Sequence, residues 1–367
     1  MKKTFTAFLL IMCLFFVTPG PALAKAKVPR LILKSFLPLP DNRVVAYGKV
    51  VYMQADEADM DLSEERFEFF FDHRAKALPL TVSIGASSVQ TLTNKEGDFV
   101  VTIPKEAVAA IKGEITVTFT SSQFPGFIET AVFNLPLQPL YLIVSDVDES
   151  ILSSGEGKFF KSIGNALFKP VHRRKAIAGT PEIYRDLIKG TQGIDSLLVF
   201  LSGSPVYLAP RMQTFFDDKA FPNHALILQN VGPKEIISGI FKKHDASNSI
   251  ASGTLSSNTT EYKLLQLGKL FKWYPDLPVI LLGDSLAKDP EIYQQMAELF
   301  PGKVHLVVIR NITNQPLENS RYDGLKKVVN LIVWNDPIEL RKDLVSANLI
   351  PDQTDQDNSK SGFGGGN

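Results

Sequence analysis

The stretch Leu140-Tyr141-Leu142-Ile143-Val144-Ser145-Asp146-Val147-Asp148-Glu149-Ser150 decides the fold. An unbroken apolar run that passes at once into a carboxylate-rich cluster is the pattern of a strand buried on both faces of a parallel sheet. Similar runs follow at Leu197 to Leu201, Val279 to Leu282 and Val304 to Ile309, and Leu331 to Val333 reads as another. Helical spacing lies between them, at Pro181 to Ile188, Tyr207 to Phe216, Glu261 to Trp273 and Pro290 to Leu299. The Ser-, Asn- and Thr-rich stretch from His244 to Thr260 reads as a loop. Strands alternating with helices predict an α/β domain with a mostly parallel sheet.

Ligands of such sheets bind beyond the carboxyl ends of the strands. Here the first run ends in Asp146-Val147-Asp148, the second in Ser202-Gly203-Ser204-Pro205, and the third in Gly283-Asp284-Ser285 with Asp289 following. Lys263 falls on the helix predicted before the third run, which also carries Lys269 and Lys272. Together the clusters suggest metal-assisted phosphoryl transfer. Asp146, Asp148 and Asp284 offer the hard oxygens that Mg2+ prefers. A carboxylate can act as nucleophile, and a second carboxylic acid can protonate the leaving oxygen. A hydroxyl and an ammonium then hold the phosphoryl oxygens as charge redistributes.

Upstream the periodicity changes. Strands are predicted at Val44 to Tyr52, Arg66 to Phe71, Leu80 to Ile84, Asp98 to Ile103, Glu114 to Phe119 and Ile128 to Phe133, with one helical turn at Ala107 to Ile111. Short strands at this spacing predict an all-β sandwich over residues 28–138. Residues 1–24 read as a secretory signal peptide: Lys2 and Lys3, an apolar run from Ala7 to Val17, a break at Pro19-Gly20, and Ala22-Leu23-Ala24 as the cleavage site. The expected location is therefore outside the cytoplasm, periplasmic or secreted, with peripheral membrane contact. Residues 346–367, polar from Pro351 onward and Gly-rich at the end, are expected to be a disordered tail.

Composition narrows the classes. Lys and Arg number 39 and Asp and Glu 39, so no basic excess points to nucleic acid. Aromatics make up 10% of the 367 residues, which excludes a wholly disordered chain. The single cysteine, Cys13, lies inside the signal segment, so chemistry by thiols or a structural zinc is excluded from the mature chain. No histidine has ligand spacing, and Trp273 and Trp334 are expected in the core.

The motifs around Asp146-Val147-Asp148-Glu149-Ser150, Ser202, Lys263 and Gly283-Asp284-Ser285 with Asp289 resemble those of the haloacid dehalogenase (HAD) superfamily of phosphatases. With Ala178 to Tyr184, Tyr274-Pro275, Leu282 to Tyr293 and Ile309-Arg310, the stretch from about Tyr141 to Val333 is similar to the phosphatidate phosphatase App1 catalytic domain. The resemblance implies a HAD-like Rossmannoid parallel sheet over 139–345 behind the β accessory domain. It implies Asp146 as nucleophile and Asp148 as acid and base, with Lys263 neutralising charge. It further implies Ser202 and Gly203 as phosphoryl binders, and Asp146, Asp148, Asp284 and Asp289 around Mg2+. Glu149-Ser150 departs from the Asp-Thr usual at those positions.

Between Glu156 and Lys175 lie six basic residues, among them Arg173 and Arg174, with Phe159, Phe160, Ile163, Leu167 and Phe168 at near-helical spacing. A basic amphipathic helix there would lie on an anionic membrane surface as a cap, Arg173 and Arg174 assisting phosphate capture. An ordinary helix packing its Phe face on the domain is the alternative. The substrate expected is phosphatidate or another phosphomonoester. A soluble phosphorylated metabolite as substrate, and an inactive lipid-binding module, are the other readings.

Overall fold

Burial alternates along several strands of the first half of the chain, as their sequence does. β1 (Lys27–Pro38), β2 (Val44–Gln54) and β5 (Asp98–Ile103) form one antiparallel sheet in the order β1-β2-β5. β3 (Pro79–Ile84), β4 (Ser87–Leu92), β6 (Ile115–Thr120) and β7 (Ile128–Phe133) form a second, ordered β4-β3-β6-β7. A short helix, α1 (Lys105–Val108), follows β5. The two sheets contribute to one core, in which Phe36 stacks on Phe133 at 4.2 Å between ring centroids and Phe99 tilts against Phe119 at 5.7 Å. This computed structural model describes residues 27–55, 73–108, 114–134, 136, 138–148, 151–153, 175–230 and 253–352. The signal segment, the strand expected at Arg66 to Phe71, Glu149, Ser150 and the basic stretch 156–174 with Arg173 and Arg174 lie outside them.

The second half is built on a six-stranded, all-parallel sheet. Its strands are β8 (Leu142–Ser145), β11 (Leu197–Pro205), β12 (Ala225–Gln229), β13 (Val279–Asp284), β14 (Val304–Arg310) and β15 (Asn330–Trp334). Their order in space is β12-β11-β8-β13-β14-β15. Counted along the chain this is 3-2-1-4-5-6, the doubly wound order, which reverses direction between β8 and β13. Two further strands, β9 (Leu152–Ser153) and β10 (Lys175–Ala176), pair with each other across the undescribed segment.

Burial on both faces explains the continuous apolar runs. Leu142, Val144, Val279 and Leu281 pack with Leu267, Leu270 and Phe271 of α4 (Gly253–Trp273) and with Ile292 and Met296 of α5 (Asp289–Leu299). The intervening Ile143, Leu198, Phe200, Ile280 and Leu282 pack with α2 (Thr180–Lys189), α3 (Ala209–Asp218) and α7 (Pro337–Ser346). The six-residue α6 (Asp323–Val328) buries Leu325 beside α5. The two halves are joined directly: Tyr47 Oη donates to the Leu226 carbonyl at 2.7 Å, and the Leu226 N–H donates to Ser35 Oγ at 2.8 Å. Lys49, wholly buried, pairs with Asp98 at 2.8 Å.

Three expectations are corrected. Helix α4 begins at Gly253, so 253–260 is not loop; adding turns to an existing helix is far cheaper than starting one, and this carries it through weak helix formers. Trp273, the last residue of α4, is 38% exposed rather than core. Leu349 and Ile350 are buried, so the packed chain extends past 345 into the expected tail.

Candidate active site

The reversal point places β8 beside β13, and the Asp146 N–H donates to the Leu282 carbonyl at 2.9 Å across it. At the carboxyl ends of these strands, Asp146, which follows β8, Asp284, which ends β13, and Asp289 converge. Each brings a carboxylate oxygen within 4.8 Å of the others, and all three are buried. Lys263, from α4, inserts its ammonium among them, 2.7 Å from Asp146 Oδ1 and 2.6 Å from Asp289 Oδ1. This selects Lys263 from the three lysines on its helix.

Local geometry explains how residues five apart meet. Asp284 Oδ1 accepts the N–H groups of Leu286 at 2.7 Å and Ala287 at 2.9 Å, a side-chain turn that folds the chain back. Asp289 Oδ2 accepts the Asp284 N–H at 3.2 Å. The approach requires glycine at 283, where a Cβ would lie 2.6 Å from Asp289 Oδ2 and 2.7 Å from Asp289 Cβ. Both oxygens of Asp289 are thus engaged, by Lys263 and by backbone, whereas Asp284 Oδ2 is buried with no hydrogen-bond partner among the described residues. A buried carboxylate oxygen without a donor is costly unless a cation or water meets it. That atom, the neighbouring Asp146 and the all-oxygen donor set fit a divalent metal.

The electrostatics follow from three buried carboxylates sharing one ammonium. Burial first, then the charges of Asp289, Asp284 and Asp148, push the Asp146 carboxyl well above its ordinary range, with Lys263 opposing. Burial and Asp289 push Asp284 up to about 7, despite the two N–H groups on its Oδ1. Burial works against the Lys263 ammonium, but Asp146 and Asp289 outweigh it and hold the proton on.

Asp148 is placed differently. Its Oδ2 accepts the hydroxyls of Ser202 and Ser204, each at 2.9 Å, and is not part of the three-carboxylate group. Strand β11 is irregular here: Ser202 pairs with Leu228 and Pro205 with Gln229, so Gly203 and Ser204 have no partners on β12. Ser202 and Ser204, two residues apart, share one face of the strand, and both hydroxyls reach Asp148 Oδ2. Gly203 packs its bare backbone against α4, where a Cβ would lie 2.4 Å from Thr259 Cγ2. Thr259 is one turn before Lys263 on the same helix.

Of the residues named from the sequence, the structure brings Asp146, Lys263, Asp284 and Asp289 into one group and joins Ser202 to Asp148 in a second, while Gly203 packs on α4 and Arg173 and Arg174 lie outside the described residues. Sequence reasoning missed Ser204 as a partner of Asp148, although the serine was visible in the same cluster. It also missed Tyr184, whose hydroxyl lies 2.6 Å from Ser145 Oγ; that Oγ in turn donates to the Asp146 carbonyl at 2.7 Å.

Residues 141–311 match the family described as phosphatidate phosphatase APP1, catalytic domain. All six site residues fall inside that segment. An uncharacterized protein of Schizosaccharomyces pombe is 22% identical over 170 residues, covering 46% of this chain and 25% of that protein. The chain therefore spans about a quarter of the length of that relative. Among solved structures, a carbohydrate acetylesterase from Xanthomonas citri has a TM-score of 0.27 at 10% identity, covering 81% of this chain and 73% of that one. A polysaccharide deacetylase from Bacillus cereus has a TM-score of 0.17 at 9% identity, covering 86% and 99%. Scores this low bear on neither fold nor function.

Proposed function

We propose that the chain is a metal-dependent phosphatase with a HAD-like catalytic domain, which hydrolyses phosphatidate or a closely related lipid phosphomonoester through an aspartyl-phosphate on Asp146. The observation that carries this reading is the meeting of Asp146, Asp284, Asp289 and Lys263 at the sheet's reversal point, inside the segment similar to the APP1 catalytic domain.

In this reading a carboxylate oxygen of Asp146 attacks phosphorus, and the bond from phosphorus to the alcohol oxygen breaks. The carboxylic acid of Asp148 gives its proton to the leaving oxygen. The Asp148 carboxylate then takes a proton from water, which attacks the phosphorus of the aspartyl-phosphate, and Asp146 is released with inorganic phosphate. Ser204 keeps its bond to Asp148 while the Ser202 hydroxyl turns to a phosphoryl oxygen. Lys263 neutralises Asp146 and the incoming phosphate. Asp146 and Asp284, with Asp289 beside them, would hold Mg2+, whose charge offsets that of the phosphoryl oxygens. The proposal includes export directed by residues 1–24 and membrane contact through 156–175. The test compares phosphate release from phosphatidate micelles and from p-nitrophenyl phosphate with Mg2+ present. Preference for phosphatidate supports the lipid reading, preference for the soluble ester favours a soluble metabolite, and release from neither favours an inactive module.

The raised carboxylates make stability and metal binding depend on pH. An acid whose folded pKa lies above its ordinary value contributes stability at low pH that is lost as pH rises through the folded value. For Asp284 the window runs from its ordinary 3.8 to about 7. In EDTA the melting temperature therefore falls as pH rises from about 5 to 8. Protons compete with the metal for the same oxygens, so the upward shift produced by Mg2+ grows over that interval. Thermal melts at several pH values check both trends, and a Mg2+ shift that shrinks with rising pH would contradict them.

A further inference from the structure

The loop that carries two of the three carboxylates is itself held by a side chain from beyond the segment 141–311. Ser285, Leu286, Ala287 and Lys288 join Asp284 to Asp289. Arg321 sits in a single 3-10 turn, Ser320–Tyr322, whose cap Asn319 accepts the Arg321 N–H at 2.9 Å. Its guanidinium donates to the Ser285 carbonyl and, at 2.6 Å, to the Ala287 carbonyl. The same group forks onto Glu291 in the first turn of α5, Nε to Oε1 and Nη2 to Oε2, both at 2.9 Å. One rigid plane thus spans the loop and the start of the helix that follows it. The residues it grips matter to the site, because the Leu286 and Ala287 N–H groups are those that orient Asp284. On the other side Ser285 Oγ accepts the N–H groups of Ile312 at 2.9 Å and Thr313 at 3.0 Å, so the loop is pinned from two directions.

We propose that Arg321 is a positioning residue of the carboxylate cluster: it fixes the 285–288 loop so that Asp284 and Asp289 face Asp146. It acts through the loop and touches no reacting group. A lysine cannot replace it fully, since a single ammonium lacks the planar fork that reaches two carbonyls and a carboxylate together. The role goes beyond the proposed phosphatase activity, and only the kinetic part of its test rests on that reading.

The experiment uses the full chain as wild type, Arg321→Gln, Arg321→Lys and Glu291→Gln. Hydrogen exchange at Leu286 and Ala287, calorimetric titration with Mg2+ alone, and kcat and KM for p-nitrophenyl phosphate are measured. Arg321→Gln is expected to speed exchange at these two amides by about tenfold with β8 and β11 unchanged, and to weaken Mg2+ binding by about 10–100-fold. It lowers kcat while KM stays within about twofold of wild type. Arg321→Lys recovers part of each effect, and Glu291→Gln, which keeps both carbonyl bonds, shows the smallest. Unchanged exchange at the two amides, or faster exchange throughout the sheet, overturns the proposal. Should Arg321→Gln fail to fold, the same local comparison is read from Arg321→Lys. A wild type that releases no phosphate but shows the local exchange pattern leaves the positioning role standing and removes the phosphatase reading.

Discussion

Asp146→Asn is expected to lower phosphate release by about a thousandfold or more while the protein stays folded. Asparagine keeps the shape of the side chain but cannot form the acyl-phosphate, and loss of a nucleophile removes most of the chemical step. Folding should survive because the substitution deletes one of three mutually repelling buried carboxylates. Lys263 keeps its 2.6 Å contact with Asp289. Relief of like-charge burial makes a melting temperature equal to or above that of wild type the expected companion of inactivity. Release at a wild-type rate by this variant would remove Asp146 from the mechanism.

Lys263→Met has the largest expected effect on stability. The ammonium is buried and is the only cation paired with Asp146 and Asp289 among the described residues. Methionine fills similar volume but leaves three carboxylates without a counter-charge. Breaking a buried ion pair on one side costs about 3–5 kcal/mol, because the remaining charge stays desolvated. The sign of the pH dependence follows from the acids left behind. Without the lysine their folded pKa values rise further, so the deficit is small where they are protonated and grows as pH rises through neutrality. Urea unfolding in EDTA at about pH 5 and pH 8 measures this. Stability within about 0.5 kcal/mol of wild type at the higher pH would contradict the picture of a charge-compensating lysine.

Where burial alone decides conformation, the sequence could be read directly. Asp98 to Ile103 is a strand at the residues expected, because one face is buried and period two survives. The apolar runs at Leu140 to Val144, Leu197 to Leu201, Val279 to Leu282 and Val304 to Ile309 are legible because the strands they form are covered on both faces, the first of them starting at Leu142. β1 was hidden by an irregularity in its pairing with β2 between Leu31 and Leu33, which shifts the alternation, and by Pro29, Arg30 and Lys34 within it. β4, Ser-Ser-Val-Gln-Thr-Leu on a sheet edge, carries too little apolar signal to read. The candidate site shows the same division. The carboxylates were legible because they follow buried strands. Ser204, Tyr184 and Arg321 were not, because each matters only through a partner tens of residues away: Asp148, Ser145 and the Ser285–Ala287 carbonyls.

The buried carboxylate cluster is proposed as a metal-dependent phosphatase site. Phosphate release by the purified full chain, measured in EDTA and again after Mg2+ is restored, tests this proposal most directly. No release in EDTA and recovery with Mg2+ are expected. Undiminished release in EDTA, or none from any phosphomonoester with Mg2+ present, would contradict it.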